Sequence, residues 1–305
     1  MNFVRATSSG PAEWRPHVLE TPAMGRVRDL RVAGALLCVI VLGIAALAGA
    51  TTKKDGGIVD HETVKFTAKC PKGERIDVGG FKTTINEPSG ILIEDLFFKG
   101  ARKWRATFDG LGNAAPATAI AYCDDTPRLT KRTGSDAAPA APRERARGVG
   151  SGFPLAASAK CPKGTTVQLG GFSVRDEISL PEPRRGGPNS GFRPSAMKAV
   201  SARKWRVEGI AVDPGVELTA IAGCADLPAP TAVDRTEDVA PGGSTSAKAK
   251  CPDGERVVMG GFEQTPFDGG GPYIRALKRS GSSAWKAKTW EFDDPASLTA
   301  IAYCA

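Results

Sequence analysis

The stretch "AKCPKGERIDVGGF" at residues 68–81 returns as "AKCPKGTTVQLGGF" at 159–172 and as "AKCPDGERVVMGGF" at 249–262, aligned without a gap. Each copy closes alike, on "ATAIAYC" (117–123), "LTAIAGC" (218–224) and "LTAIAYC" (298–304), and carries a tryptophan between, at Trp104, Trp205 and Trp285. Nine residues separate the first Cys from the Gly pair, and nineteen separate the Trp from the last Cys, in all three copies. Only the Cys-to-Trp distance varies (34, 44 and 34), and the extra ten residues of the middle copy fall in "SLPEPRRGGPNSG" at 179–191. Constant ends around a variable middle describe one fold used three times, with one tolerant loop.

Local chemistry makes that fold all-β. Ile76, Val78 and Gly80 alternate, as do Val167, Leu169 and Gly171, and Val257, Met259 and Gly261; period two is the signature of a strand. In the closing segment Ala300, Ala302 and Cys304 share one face and Thr299, Ile301 and Tyr303 the other. Cys-Pro-x-Gly is turn chemistry, with Pro71 expected at the second turn position and Gly73 at the fourth. A Gly pair inside a strand points to a bulge or to close backbone packing; no helix follows it as a phosphate loop requires. Each Trp is expected in the core, with an exposed, sugar-stacking Trp as the rival reading. Asn113, Asp213–Pro214 and Asp293–Asp294–Pro295 read as turn formers before the last strand. Lys69, Lys160 and Lys250 recur as solvated positions.

Six of the seven cysteines bracket the copies, so the expected disulfides are Cys70–Cys123, Cys161–Cys224 and Cys251–Cys304, the only pairing that treats the copies alike. Two Cys and no His per copy are too few ligands for zinc, and no cofactor motif is legible. Disulfides belong to an oxidising compartment, and the N-terminus agrees. Arg26, Arg28 and Arg31 precede a segment from Val32 to Thr52 without a charge, ending in Ala48–Gly49–Ala50. This is an export signal cut after Ala50 or, equally open, an uncleaved anchor helix. Cys38 lies in mid-core behind Leu36 and Leu37, which argues against a lipid anchor, and is expected to stay unpaired. Residues 1–23 suit an over-extended start, with 24–50 as the signal or anchor.

The domain reading is repeat 1 at 58–125, linker 126–152, repeat 2 at 153–226, linker 227–242 and repeat 3 at 243–305. The linkers are Pro-, Ala- and Arg-rich and read as extended and mobile. Two arrangements are open: independent disulfide-stapled β units strung as beads, or one pseudo-threefold β-prism.

At the Cys-Pro-x-Gly, Gly-Gly-Phe, Trp and closing-Cys positions the chain resembles repeats of exported proteins from high-GC Gram-positive bacteria, mostly without assigned function. That resemblance implies an extracellular β module. Over fewer positions it is similar to the vitelline membrane outer layer family, whose three Cys-rich β repeats close into a β-prism. The acidic, Asn-containing motif before that family's last strand is absent here, and the linkers are longer.

For function, a net charge of +8 without dense basic blocks argues against nucleic acid. His17 and His61 are the only histidines and neither lies inside a Cys-bounded unit, which leaves Ser-His and Cys-His catalysis without a base. The expected function is a non-enzymatic cell-surface or secreted protein that binds or structures the bacterial envelope through an anionic polymer or glycan. A structural spacer is the alternative, and a two-carboxylate hydrolase a third. The candidate ligand residues are Arg102, Lys103 and Arg105 with Arg203, Lys204 and Arg206, from the two "ARKWR" segments. A membrane contact is expected only through residues 32–50, if uncleaved.

Overall fold

The computed structural model describes residues 51–60, 62–84, 91–110, 114–137, 152–176, 191–211, 215–265, 273–290 and 295–305. The signal or anchor, Cys38, both histidines and most of the 179–191 insertion lie outside them. So do Asn113, Asp213–Pro214 and Asp293–Asp294.

Among the described residues every regular element is a strand, and each repeat supplies six. Repeat 1 gives β1 (Thr51–Val59), β2 (Thr63–Lys69), β3 (Arg75–Thr83), β4 (Ile91–Phe98), β5 (Lys103–Gly110) and β6 (Ala115–Asp124). Repeat 2 gives β7 (Thr130–Ala137), β8 (Phe153–Lys160), β9 (Thr166–Asp176), β10 (Phe192–Ser201), β11 (Lys204–Ala211) and β12 (Val216–Ala225). Repeat 3 gives β13 (Thr231–Val239), β14 (Ser244–Lys250), β15 (Val257–Thr265), β16 (Tyr273–Arg279), β17 (Ala284–Trp290) and β18 (Ala296–Cys304).

These strands form three six-stranded antiparallel sheets, and each sheet is shared between two repeats. Sheet I runs β1-β6-β3-β16-β17-β14, sheet II β2-β5-β4-β9-β12-β7, and sheet III β13-β18-β15-β10-β11-β8. Repeat 1 thus joins sheets I and II, repeat 2 joins II and III, and repeat 3 joins III and I. One hydrophobic cluster, drawn from all three repeats, lies between them. Self-contained beads are therefore ruled out, because no repeat pairs its strands only with itself. The sheets show the threefold sharing of a prism, but each keeps two edges and none closes into a barrel.

The Gly-Gly-Phe motif explains why the repeats interlock. A Cβ on the first glycine would meet an indole ring, at 2.0 Å from Trp104 for Gly79, 2.1 Å from Trp205 for Gly170 and 2.1 Å from Trp285 for Gly260. A Cβ on the second would strike a carbonyl of a different repeat, Leu277 O at 2.2 Å from Gly80, Leu96 O at 2.1 Å from Gly171 and Met197 O at 2.4 Å from Gly261. One glycine makes room for the core and the other lets the neighbour's strand dock. The Phe that follows pairs across each junction: Phe81 with Leu277, Phe172 with Leu96, Phe262 with Met197.

The tryptophans are core, at 1%, 0% and 1% exposure. Each indole N–H donates to the second glycine's carbonyl: Trp104 to Gly80 at 3.0 Å, Trp205 to Gly171 at 3.2 Å, Trp285 to Gly261 at 3.1 Å. The exposed sugar-stacking reading of these three residues is thereby corrected. A polar N–H inside an apolar core needs such a partner.

The expected disulfides are present, with Cα–Cα distances of 5.6, 5.6 and 5.7 Å. Cys70 follows β2 of sheet II and Cys123 lies in β6 of sheet I; Cys161–Cys224 and Cys251–Cys304 likewise bridge III to II and I to III. Each bond staples one corner between sheets. Replacing both Cys161 and Cys224 by Ala is expected to cost about 4 kcal/mol on the chain-entropy account for a loop of this length. A chemical-denaturation midpoint equal to that of the parent would overturn this.

Two details differ from the sequence reading. The turn after each Cys is shifted by one residue, since Glu74 N bonds Pro71 O (3.3 Å), Thr165 N bonds Pro162 O and Glu255 N bonds Pro252 O. Gly73, Gly164 and Gly254 therefore occupy the third position, with φ of 96°, 83° and 90°, where a side chain is strained. Also, the segments read as mobile linkers carry strands. β7 lies within 126–152 and pairs with β12, and β13 lies within 227–242 and pairs with β18, as β1 does with β6. All three are mostly exposed edge strands with few apolar residues, which is why their period was invisible. Asp55 and Asp136 each accept a backbone N–H across a corner, from Thr67 and Ala156, covering donors that an edge leaves open.

Candidate functional site

The two "ARKWR" segments do not converge. Arg105 is on sheet II and Arg206 on sheet III. Arg102 and Arg203 are structural: their guanidinium groups donate to Cys70 O (Nη2 at 2.8 Å) and Cys161 O (Nη2 at 3.0 Å), beside the disulfides. Repeat 3 keeps only the backbone bond there, from Cys251 N to Ser283 O. Arg105 lies over the Phe97 ring and Arg206 is ion-paired with Glu208. Lys103 is exposed and Lys204 half-buried, one on each sheet.

The concentration of charge lies elsewhere. The strands of sheet I contain eleven basic and three acidic residues. Those of sheet II contain seven and six, and those of sheet III six and five. The three acids of sheet I are already engaged: Asp55 at its corner, Asp77 by Arg279, and Asp124 by Arg256.

Register gathers the lysines on the outer face. Trp285, Ala287 and Thr289 point inward, so Lys286 and Lys288 point outward, because side chains alternate along a strand. Lys248, Lys286 and Lys278 stand directly opposite one another on β14, β17 and β16. The next row places Lys288, Ala276 and Lys82 side by side, which brings in repeat 1 through the junction. Lys54 extends the face on β1. Like charges directly opposite are destabilising in a sheet, and adjacent strands are only about 4.8 Å apart. Burial, followed by Lys82, Lys286 and Lys54, holds the Lys278 ammonium below the usual lysine range.

The corresponding positions of the other sheets are neutralised. On sheet III, Lys198 pairs with Glu263 at 2.6 Å, and Arg206 with Glu208. On sheet II the middle position holds Asp95, which accepts from Thr107 (2.8 Å) and Ser173 (2.6 Å). Threefold symmetry is therefore kept inside and broken outside. The legible signal was the alternating lysine of "SAKAKC" (246–251) and "WKAKTW" (285–290), two strands of one repeat.

A second recess, of about 500 Å³, lies where the three repeats meet at one end. Asp77, Gln168 and Val258, equivalent residues of the three copies, all line it. Burial pushes the Asp77 carboxyl up, against the opposing pull of Arg279 and Arg256. Among the described residues no cluster of three or more His, Cys, Asp or Glu is placed to hold a metal, and no helix is long and apolar enough to cross a membrane. No protein-family model matches the chain, and neither does any curated protein.

Proposed function

We propose that the protein is an exported, non-enzymatic envelope protein that binds an anionic polymer, of the cell wall or of an acidic glycan, through the outer face of sheet I. The observation that carries this reading is the lysine face itself, on a sheet whose strands hold eleven bases against three acids that are each already engaged. Opposed lysines are a cost to folding; sheets II and III set them opposite in single pairs at strand ends, Lys69 with Lys103 and Lys160 with Lys204, whereas sheet I stacks three in one row. A flat face also suits a polymer: cations recur about 6.7 Å apart along a strand and about 4.8 Å across strands, a grid that meets successive charges of an extended chain. Three disulfides fit a protein that works in an oxidising compartment.

The test is retention on purified cell walls and on a polyuronate column. Changing Lys82, Lys278, Lys286 and Lys288 to Ser is expected to cut affinity at least ten-fold and to flatten its salt dependence, since exposed charges are screened over about 8 Å at physiological salt. Changing Lys103, Arg105, Lys204 and Arg206 instead is expected to have a much smaller effect. Lys278→Gln alone should weaken binding while leaving stability equal or raised by about 0.5 kcal/mol, because it removes a like-charge contact. The sign with pH follows. Folding lowers the Lys278 pKa, so the folded chain gains stability as pH rises through that lowered value and the group discharges. A bound anion favours the charged form, so affinity should begin to fall below the ordinary lysine range. Unchanged retention in the fourfold variant would leave the spacer reading ahead.

A further inference from the structure

The lysine face has a recess at one end, and its most buried member is an arginine. Arg275 is only 3% exposed, and all three guanidinium nitrogens are buried with no hydrogen-bond partner among the described residues. A buried cation without a partner is costly, and proteins keep one where something else supplies the counter-charge. Arg275 is the extra residue of a bulge, since the β16–β17 register shifts between Ile274 and Ala276. Its carbonyl is held across the repeat junction by the Thr83 hydroxyl at 3.2 Å. Bulges re-aim side chains and recur beside functional sites. The equivalent bulge residues are Glu94 in repeat 1 and Ser195 in repeat 2, so the guanidinium belongs to this sheet alone.

Arg275 lines a cavity of about 260 Å³ together with Lys82, Lys278, Lys286, Lys288 and Trp290. Among the described residues no carboxylate lines it. That volume is below the ~300–1,000 Å³ of pockets that take drug-sized ligands, and suits one sugar-sized unit. Trp290 is half-buried on the outer face beside Lys288, paired with Tyr273 and Ser244. An indole offers an apolar plane for the face of a sugar ring, and a guanidinium offers a fork for a carboxylate or phosphate.

We infer that this cavity is a subsite for one acidic saccharide unit, with its oxyanion on Arg275 and its ring against Trp290. The inference builds on the polyanion reading of sheet I and gives the polymer a chemistry: a charged sugar, not a bare chain of charges.

The experiment titrates the full chain with four probes, namely glucuronate, glucose 6-phosphate, glucose and inorganic phosphate, by calorimetry and indole fluorescence. At least one charged sugar is expected to bind ten-fold or more tightly than glucose and than inorganic phosphate. Which of the two binds better separates carboxylated from phosphorylated polymers. Arg275→Met should abolish that preference, and Trp290→Leu should reduce charged-sugar affinity while leaving inorganic phosphate unchanged. Because an unpaired cation is removed, Arg275→Met should melt no lower than the parent, and the charged sugar should raise the melting temperature of the parent only. Equal binding of inorganic phosphate and charged sugars would overturn the saccharide assignment, and so would no binding by either sugar. A preference surviving in Arg275→Met, or a large fall in its melting temperature, would overturn the role of Arg275. Retention on the polyuronate column should fall less in Arg275→Met than in the fourfold lysine variant, because the lysines of the face remain. Loss of wild-type column retention alone counts against the lysine face and not against the subsite.

Discussion

A fragment consisting of residues 51–125 is expected to be unfolded at micromolar concentration, although it contains a complete set of repeat signatures and its own disulfide. In the intact chain β3 completes its sheet against β16 of repeat 3, and β4 completes its sheet against β9 of repeat 2. The isolated fragment would therefore expose two junction strands, along with Phe81 and Leu96, which are at 0% and 1% exposure in the whole protein. Some 75 residues supply a small core at best, and this one would lose both of its neighbours. Far-UV circular dichroism and amide-proton dispersion decide the matter, and a well-dispersed spectrum from the monomeric fragment would refute the interlocked description. By the same logic, a single cut between β7 and β8 should leave both pieces co-eluting until denaturant is added.

The second large effect is at the glycines of the junction. Gly171→Ala is expected to destabilise by about 3 kcal/mol, the upper part of the usual range for overpacking. The atom in the way is Leu96 O of the docked strand, part of the backbone, which cannot rotate aside. Gly164→Ala is the internal comparison: it has φ of +83° but nothing within 4 Å, so only backbone strain of about 1 kcal/mol opposes it. Urea midpoints, followed through Trp205 fluorescence, should rank the two well apart. Equal midpoints would mean that the sheets tolerate separation at the junction.

The sequence made the strands legible where burial imposes a period: β3, β9 and β15 alternate around the Gly pair, and β6, β12 and β18 around their alanines. It concealed β1, β7 and β13, because a strand at an edge buries almost nothing and so carries no period. It also concealed which strand the Gly-Gly-Phe edge receives. A glycine announces close approach but not the identity of what approaches, and Leu277 lies nearly 200 residues from Gly80. The lysine face was hidden for the same reason, with Lys248, Lys278, Lys286 and Lys288 in repeat 3 but Lys54 and Lys82 in repeat 1. Arg275 was hidden further, since a register shift within one strand leaves no mark on composition. The pairing of the six repeat cysteines was legible, because it is local to each copy and needs no knowledge of the sheets.

Sheet sharing also fixes how many repeats such a chain can hold. A solenoid grows by adding units at either end, each touching only its neighbours in order. Here the last repeat touches the first, so a duplicated fourth unit would have no free junction, and a chain of two would leave one Gly-Gly-Phe edge and one receiving edge unsatisfied. Insertion and deletion are thereby confined to loops, as the ten-residue difference in repeat 2 illustrates. The covalent connection between repeats holds the three units at an effective concentration in the millimolar range, which replaces the mass action that three separate chains would need. Copy number is locked by closure, while the three outward faces remain independent of one another. One protein of this build can present three unrelated surfaces over a shared core of glycines, tryptophans and disulfides.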